Sequence, residues 1–110
     1  MSAFPGIKLS SQATSAPLLV DMNVPPYFTS SANYNLSLIC TVSAGANLTY
    51  SVQVTADQQP SPTGNWNNHD VLVNQTTSAN SNIIYPITGL RLAVTQYSSG
   101  SVNLGIAKWP

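Results

Sequence analysis

Ile87-Thr88-Gly89-Leu90-Arg91-Leu92-Ala93-Val94-Thr95-Gln96-Tyr97-Ser98-Ser99-Gly100-Ser101-Val102-Asn103-Leu104-Gly105-Ile106-Ala107-Lys108-Trp109 reads as two β-strands joined by a turn. Leu90, Leu92 and Val94 alternate with Arg91, Ala93 and Thr95; beyond the turn, Val102, Leu104 and Ile106 alternate with Asn103, Gly105 and Ala107. A period of two puts successive side chains on opposite faces of a strand, so each run offers one apolar face to a core. The Ser-Ser-Gly-Ser insert supplies a residue that tolerates positive φ, as a tight antiparallel return requires. The expectation is a C-terminal β-hairpin.

The same pattern recurs upstream. Tyr34, Leu36, Leu38, Cys40 and Val42, then Leu48, Tyr50, Val52 and Val54, form two alternating runs joined by Ser43-Ala44-Gly45-Ala46-Asn47, which predicts a second hairpin. Leu18, Leu19, Val20, Met22 and Val24 predict a first strand over Pro17–Val24, stopped by Pro25-Pro26, since proline donates nothing to a ladder. Val71–Val73 and Asn82–Tyr85 read as short strands, and Asp57–Asn68, with Pro60, Pro62 and Gly64, as a loop in which Trp66 is an anchor. Six to eight short strands without helical periodicity predict an all-β fold, a single antiparallel β-sandwich or jelly-roll-like domain over residues 17–110. Residues 1–16 show neither period and predict an extended N-terminal arm, without which the sandwich is expected to fold.

Composition narrows the function. Lys8, Arg91, Lys108, Asp21, Asp57 and Asp70 are the whole charged set, 5% of the chain, against about 25% in ordinary globular proteins. Three basic residues against three acidic ones leave no electrostatic footprint for nucleic acid. Near-zero net charge also leaves little repulsion between copies, which favours a place in an assembly and a homo-oligomer, dimer or trimer. Cys40 is the only cysteine, so no intrachain disulfide or cysteine metal cage is expected. No run approaches the ~20 apolar residues of a membrane-spanning helix, and Met1–Pro5 lacks the basic start of a secretory signal.

Catalytic constellations are weak. His69-Asp70 is the one His–carboxylate neighbour pair, but adjacent strand residues point apart and further metal ligands are scarce. Asp21, Asp57 and Asp70 lie in separate segments, and no serine sits in a nucleophile elbow. The reading is therefore of a non-enzyme without cofactor or metal. Trp66, Asn67 and His69 are the candidate sugar contacts of a carbohydrate-binding alternative, because an aromatic ring beside amides suits polyols. Arg91, Trp109, Phe4 and Ile7 are the candidate interface residues; Arg91 projects opposite Leu90 and Leu92, where its fork could grip carbonyls or a carboxylate.

Tyr85-Pro86-Ile87-Thr88-Gly89-Leu90-Arg91-Leu92, with Val94-Thr95, Tyr97 and Ser99-Gly100-Ser101 leading into Val102-Asn103-Leu104, resembles the C-terminal part of small β-rich virion proteins of tailed bacteriophages. The resemblance covers about a quarter of the chain. It implies a structural protein made in the host cytoplasm and carried on the capsid surface, a decoration or cement protein whose partners are the major capsid protein or other virion subunits. A head-completion or tail component is the alternative within the same group.

Overall fold

The computed structural model describes residues 2–3, 6–19, 35–85 and 87–109, and in chain order they form nine strands. These are β1 (Ser2–Ala3), β2 (Ile7–Leu9), β3 (Leu18–Leu19), β4 (Asn35–Val42), β5 (Asn47–Thr55), β6 (Asn67–Asn68), β7 (Ala79–Ile83), β8 (Gly89–Ser99) and β9 (Val102–Trp109). All pairings are antiparallel, in two sheets. The first runs β9, β4, β7, with β1 and β2 on the remaining edge of β9, opposite Ala107–Lys108 and Val102–Leu104 respectively. The second runs β3, β8, β5, β6. The chain changes sheet at every connection except β1–β2 and β5–β6, and the order 2-9-4-7 over 3-8-5-6 is a jelly roll. The all-β sandwich expected from alternation is present in its jelly-roll form.

The two hairpins are not. β4 belongs to the first sheet and β5 to the second; β8 belongs to the second and β9 to the first. Each predicted hairpin turn is instead an arch that carries the chain across the sandwich, while β4 pairs with β9 from Asn35↔Trp109 to Val42↔Val102, and β5 pairs with β8. Alternation specifies which side of a strand is apolar. It does not specify whether the next strand lies beside the first or faces it across the core, because both arrangements bury the same residues.

The inward positions are those the period marks: Leu36, Leu38 and Cys40 of β4, Leu48, Tyr50, Val52 and Val54 of β5, Leu90, Leu92 and Val94 of β8, and Val102, Leu104 and Ile106 of β9, joined by Leu72, Ile83 and Ile87. Tyr50 is fully buried, and its hydroxyl donates to the Thr77 carbonyl at 2.7 Å, so the core keeps its large aromatic without an orphaned polar atom. The arches pack side by side at one end. The Ser43 amide donates to the Ser101 carbonyl at 2.9 Å, and the Ser101 amide to Ser43 Oγ at 3.0 Å. Gly100 takes φ +89°, and a Cβ placed there would collide with the Ala46 Cβ. Gly100→Ala is therefore expected to lower stability by about 2–3 kcal/mol, from backbone strain and overlap together. A urea midpoint equal to that of the parent would contradict this packing of the arches.

The N-terminal arm requires correction. Residues 2–3 and 7–9 pair with β9, and the chain then crosses to the second sheet, where Thr14 bridges Ala93 and β3 pairs with Leu90 and Gly89. The Val94 amide donates to the Ala13 carbonyl and the Ser15 amide to the Leu92 carbonyl, both at 2.8 Å; the Leu92 amide donates to Ser15 Oγ at 2.9 Å. Ile7, Leu9 and Leu18 pack half-buried on the core. The segment is extended, but it straps one open edge of its own sandwich instead of reaching away. The reason is backbone satisfaction: without it, β8 and β9 would each present an unpaired edge. Two smaller differences follow. Val71–Val73 is a loop in which Leu72 alone is buried, and the predicted first strand is realised as Leu18–Leu19, with positions 20–24 outside the described residues.

Candidate functional site: the Trp66–Arg91 cluster and the two outer faces

Arg91 leaves β8 on the outer face of the second sheet, directly opposite Gln53 of β5, which in turn stands opposite Asn68 of β6. Arg91 Nε donates to Gln53 Oε1 at 2.7 Å, and Gln53 Nε2 donates to Asn68 Oδ1 at 3.2 Å. The guanidinium carbon lies 4.2 Å from the centroid of the Trp66 ring, a cation–π stack, while Nη1 donates to the Pro62 carbonyl at 3.0 Å. Trp66 Nε1 donates to the Ser61 carbonyl at 2.7 Å. Arginine suits this position because one planar group can stack and use its fork at once.

The loop carrying Trp66 is closed at its base by Asp57. Its two carboxylate oxygens accept from the Asn65 amide at 2.8 Å and from Asn65 Nδ2 at 3.1 Å, and these bonds hold the carboxyl below its ordinary pKa. Thr88 Oγ1 donates to the Asp57 carbonyl at 2.6 Å, tying the loop to the approach to β8. The loop is thus braced onto the sheet at both ends.

His69 occupies a different environment. It is 1% exposed; Nδ1 accepts from the Val71 and Leu72 amides, each at 3.1 Å, and Nε2 lies 3.0 Å from the Asn82 carbonyl. These contacts select the tautomer with its proton on Nε2, donated to Asn82. Asp70 Oδ1, 3.4 Å from Nδ1, approaches a nitrogen already engaged as an acceptor. His69 therefore links the β6 side of the second sheet to β7 of the first and closes the edge opposite the N-terminal strap. Both ring nitrogens are consumed, leaving none for substrate or metal.

The sugar-contact residues thus do not converge. Trp66 has its N–H engaged and one ring face under Arg91, Asn67 is exposed on β6, and His69 is buried. Nor do the interface residues form one patch: Arg91 is in the second sheet, Ile7 packs on the core from β2 opposite Leu104, Trp109 lies in β9 opposite Asn35, and Phe4 is outside the described residues. Asn68 counts among the amides of the sugar reading, but nothing in the sequence except the strand register sets it and Gln53 beside Arg91. Burial, the larger influence, pushes the Cys40 thiol up to about 11, against a smaller opposing effect from its hydrogen bond with Tyr50, so a thiolate nucleophile is disfavoured there. Among the described residues, no three or more His, Cys, Asp or Glu side chains gather as a metal site, and no helix is long and apolar enough to cross a membrane.

The outer face of the first sheet is the other feature of note. Its cross-strand rows are Lys8–Asn103–Thr41, Gly105–Ile39–Asn80 and Ala107–Ser37–Asn82. Small and amide side chains surround Ile39, which is 55% exposed at the centre, and a shallow hollow between β4 and β7 is lined by residues 37–39 and 80–82. Lys8, at one margin, is the one charged side chain in these rows. Comparison with known proteins finds no matching family model, no matching curated protein and no matching solved structure.

Proposed function

We propose that this chain is a structural virion protein, an accessory subunit that decorates or cements a capsid through protein–protein contact. The observation that carries the reading is the outer face of the first sheet, where Ile39 stands exposed among Gly105, Ala107, Ser37 and Thr41 with a charge only at the margin. A surface without charges at its centre loses little when water is removed, which is the pattern of an interface core inside a polar rim. Jelly rolls are among the architectures of capsid proteins, and the Tyr85–Leu104 stretch resembles virion accessory proteins. Jelly rolls also carry lectin domains, and the exposed amides of Asn67 and Asn68 near the Trp66 ring favour carbohydrate binding as the second reading.

The test is the composition of purified virions whose genome encodes the chain. The protein should be present in many copies, with antibody label over the head. Ile39→Lys should reduce its occupancy by about tenfold, the equivalent of ~1.4 kcal/mol, while leaving the melting temperature unchanged. Label at the neck or tail would replace decoration by the head-completion or tail reading. Absence from virions, together with glycan-array binding that Trp66→Ala abolishes, would replace it by carbohydrate recognition.

A further inference from the structure

We infer that two copies of this chain pair through β7, the outer edge of one β7 joining that of the other, antiparallel about Asn80, so that the two first sheets become one. The inference is independent of the virion reading and rests on how the edges of the sandwich are finished. Three edges end in strands too short to template another chain: β1 and β2, of two and three residues, on one side of the first sheet, and β3 and β6, of two residues each, on the two sides of the second. β2 also carries Lys8, a charge that discourages further pairing at an edge. β7 is finished differently. It is five residues long, Ala79-Asn80-Ser81-Asn82-Ile83, holds neither charge nor proline, and pairs with β4 in unbroken register.

The direction of its backbone groups follows from β4. The Val42 amide donates to Ser78 Oγ at 2.9 Å, so the even-numbered residues of β4 turn their amides toward β7, where Ala79, Ser81 and Ile83 stand opposite Cys40, Leu38 and Leu36. Asn80 and Asn82 therefore turn theirs to the outer edge. His69 takes one of these groups, the Asn82 carbonyl. The Asn80 amide and carbonyl have no partner among the described residues. A second β7 laid antiparallel with Asn80 opposite Asn80 satisfies both at once, since a hydrogen-bonded pair exchanges two N–H···O bonds. The same register sets Ala79 opposite Ser81 and Ser78 opposite Asn82, so the facing side chains are small and uncharged. The two Asn80 side chains, both exposed on the outer face, become direct cross-strand neighbours able to bond each other. A second copy is the partner this strand suits, because a twofold axis sets every charge near it against its own image and β7 has none.

The test varies Asn80. Pairing through so short an edge belongs to the weak class of interfaces, with a Kd of about 10–100 µM. Sedimentation equilibrium of the parent from about 10 µM to about 1 mM should therefore show a mass rising from monomer toward dimer. Asn80→Pro removes an outward N–H that β4 does not use, so the strand should keep its place in the sheet while dimerisation weakens by about tenfold or more. Asn80→Lys and Asn80→Asp each set two like charges face to face, and each alone should be monomeric at low salt. An equal mixture of the two should dimerise at least as well as the parent, because the twofold at position 80 brings opposite charges together. That rescue is readable even if the proline variant folds poorly. A parent that stays monomeric throughout the range, dimers indifferent to all three substitutions, or a charge mixture that remains monomeric would overturn the inference.

Discussion

Deletion of residues 1–19 is expected to lower the unfolding free energy by on the order of 4 kcal/mol, a large part of the roughly 5–15 kcal/mol that holds a domain of this size. The deletion removes three half-buried aliphatic side chains, Ile7, Leu9 and Leu18, and opens β8 and β9 to water along one edge. Partial burial of such side chains contributes ~1 kcal/mol or more apiece, and the lost backbone hydrogen bonds add a comparable amount. The sequence alone predicts the reverse, a sandwich indifferent to loss of residues 1–16. Urea unfolding followed by circular dichroism decides between them: an unchanged midpoint would show that the strap contributes nothing.

The second large effect is expected at His69. His69→Ala leaves the amides of Val71 and Leu72 and the carbonyl of Asn82 without their partner, and Leu72 is fully buried beside them. Orphaning buried backbone groups costs ~1–3 kcal/mol each, so a total loss of about 3–5 kcal/mol is expected, partly relieved by water at the more exposed Val71. His69→Asn should cost less, because its Oδ1 can stand in for Nδ1 as acceptor of the two amides while the bond to Asn82 is lost. Thermal unfolding of the two variants should give the order parent, Asn, Ala. Equal stability of all three would mean that the ring does not hold the edge of the sandwich.

How far the sequence reached is clearest at particular residues. The inward sets on β4, β5, β8 and β9 are buried as the two-residue period requires, because burial of one strand face depends on local order alone. Sheet membership depends on the partner, and Gly100 serves an arch as readily as a hairpin. The strap was hidden for another reason: strands of two or three residues are too short for alternation to be counted, and Pro5 and Gly6 lie among them. In the sequence His69 stands as half of a His–carboxylate pair and as a candidate sugar contact. Its role is set by Asn82, thirteen positions away and in the other sheet. Trp66 and Arg91 were both singled out, but for rival purposes; register and loop closure bring them together as a single brace.

The two arches have a consequence for how the protein is made. β4 and β5 run on from one another, as do β8 and β9, and the first pair lies against the second along its whole length, like a ribbon folded over at Ser43–Ala46 and Gly100–Ser101. β8 and β9 follow every other described strand in the sequence. Before them, among the described residues, β1, β2 and β3 lack the strands they pair with, while β4 with β7 and β5 with β6 and the Leu72–Gln75 segment can already pair. Most strand pairing among the described residues involves β8 or β9, and such dominance of distant pairings makes for slow folding. A chain cut before Gly89 would lack an inner strand of each sheet, β8 of the second and β9 of the first, and with them the edges that the N-terminal strands cover.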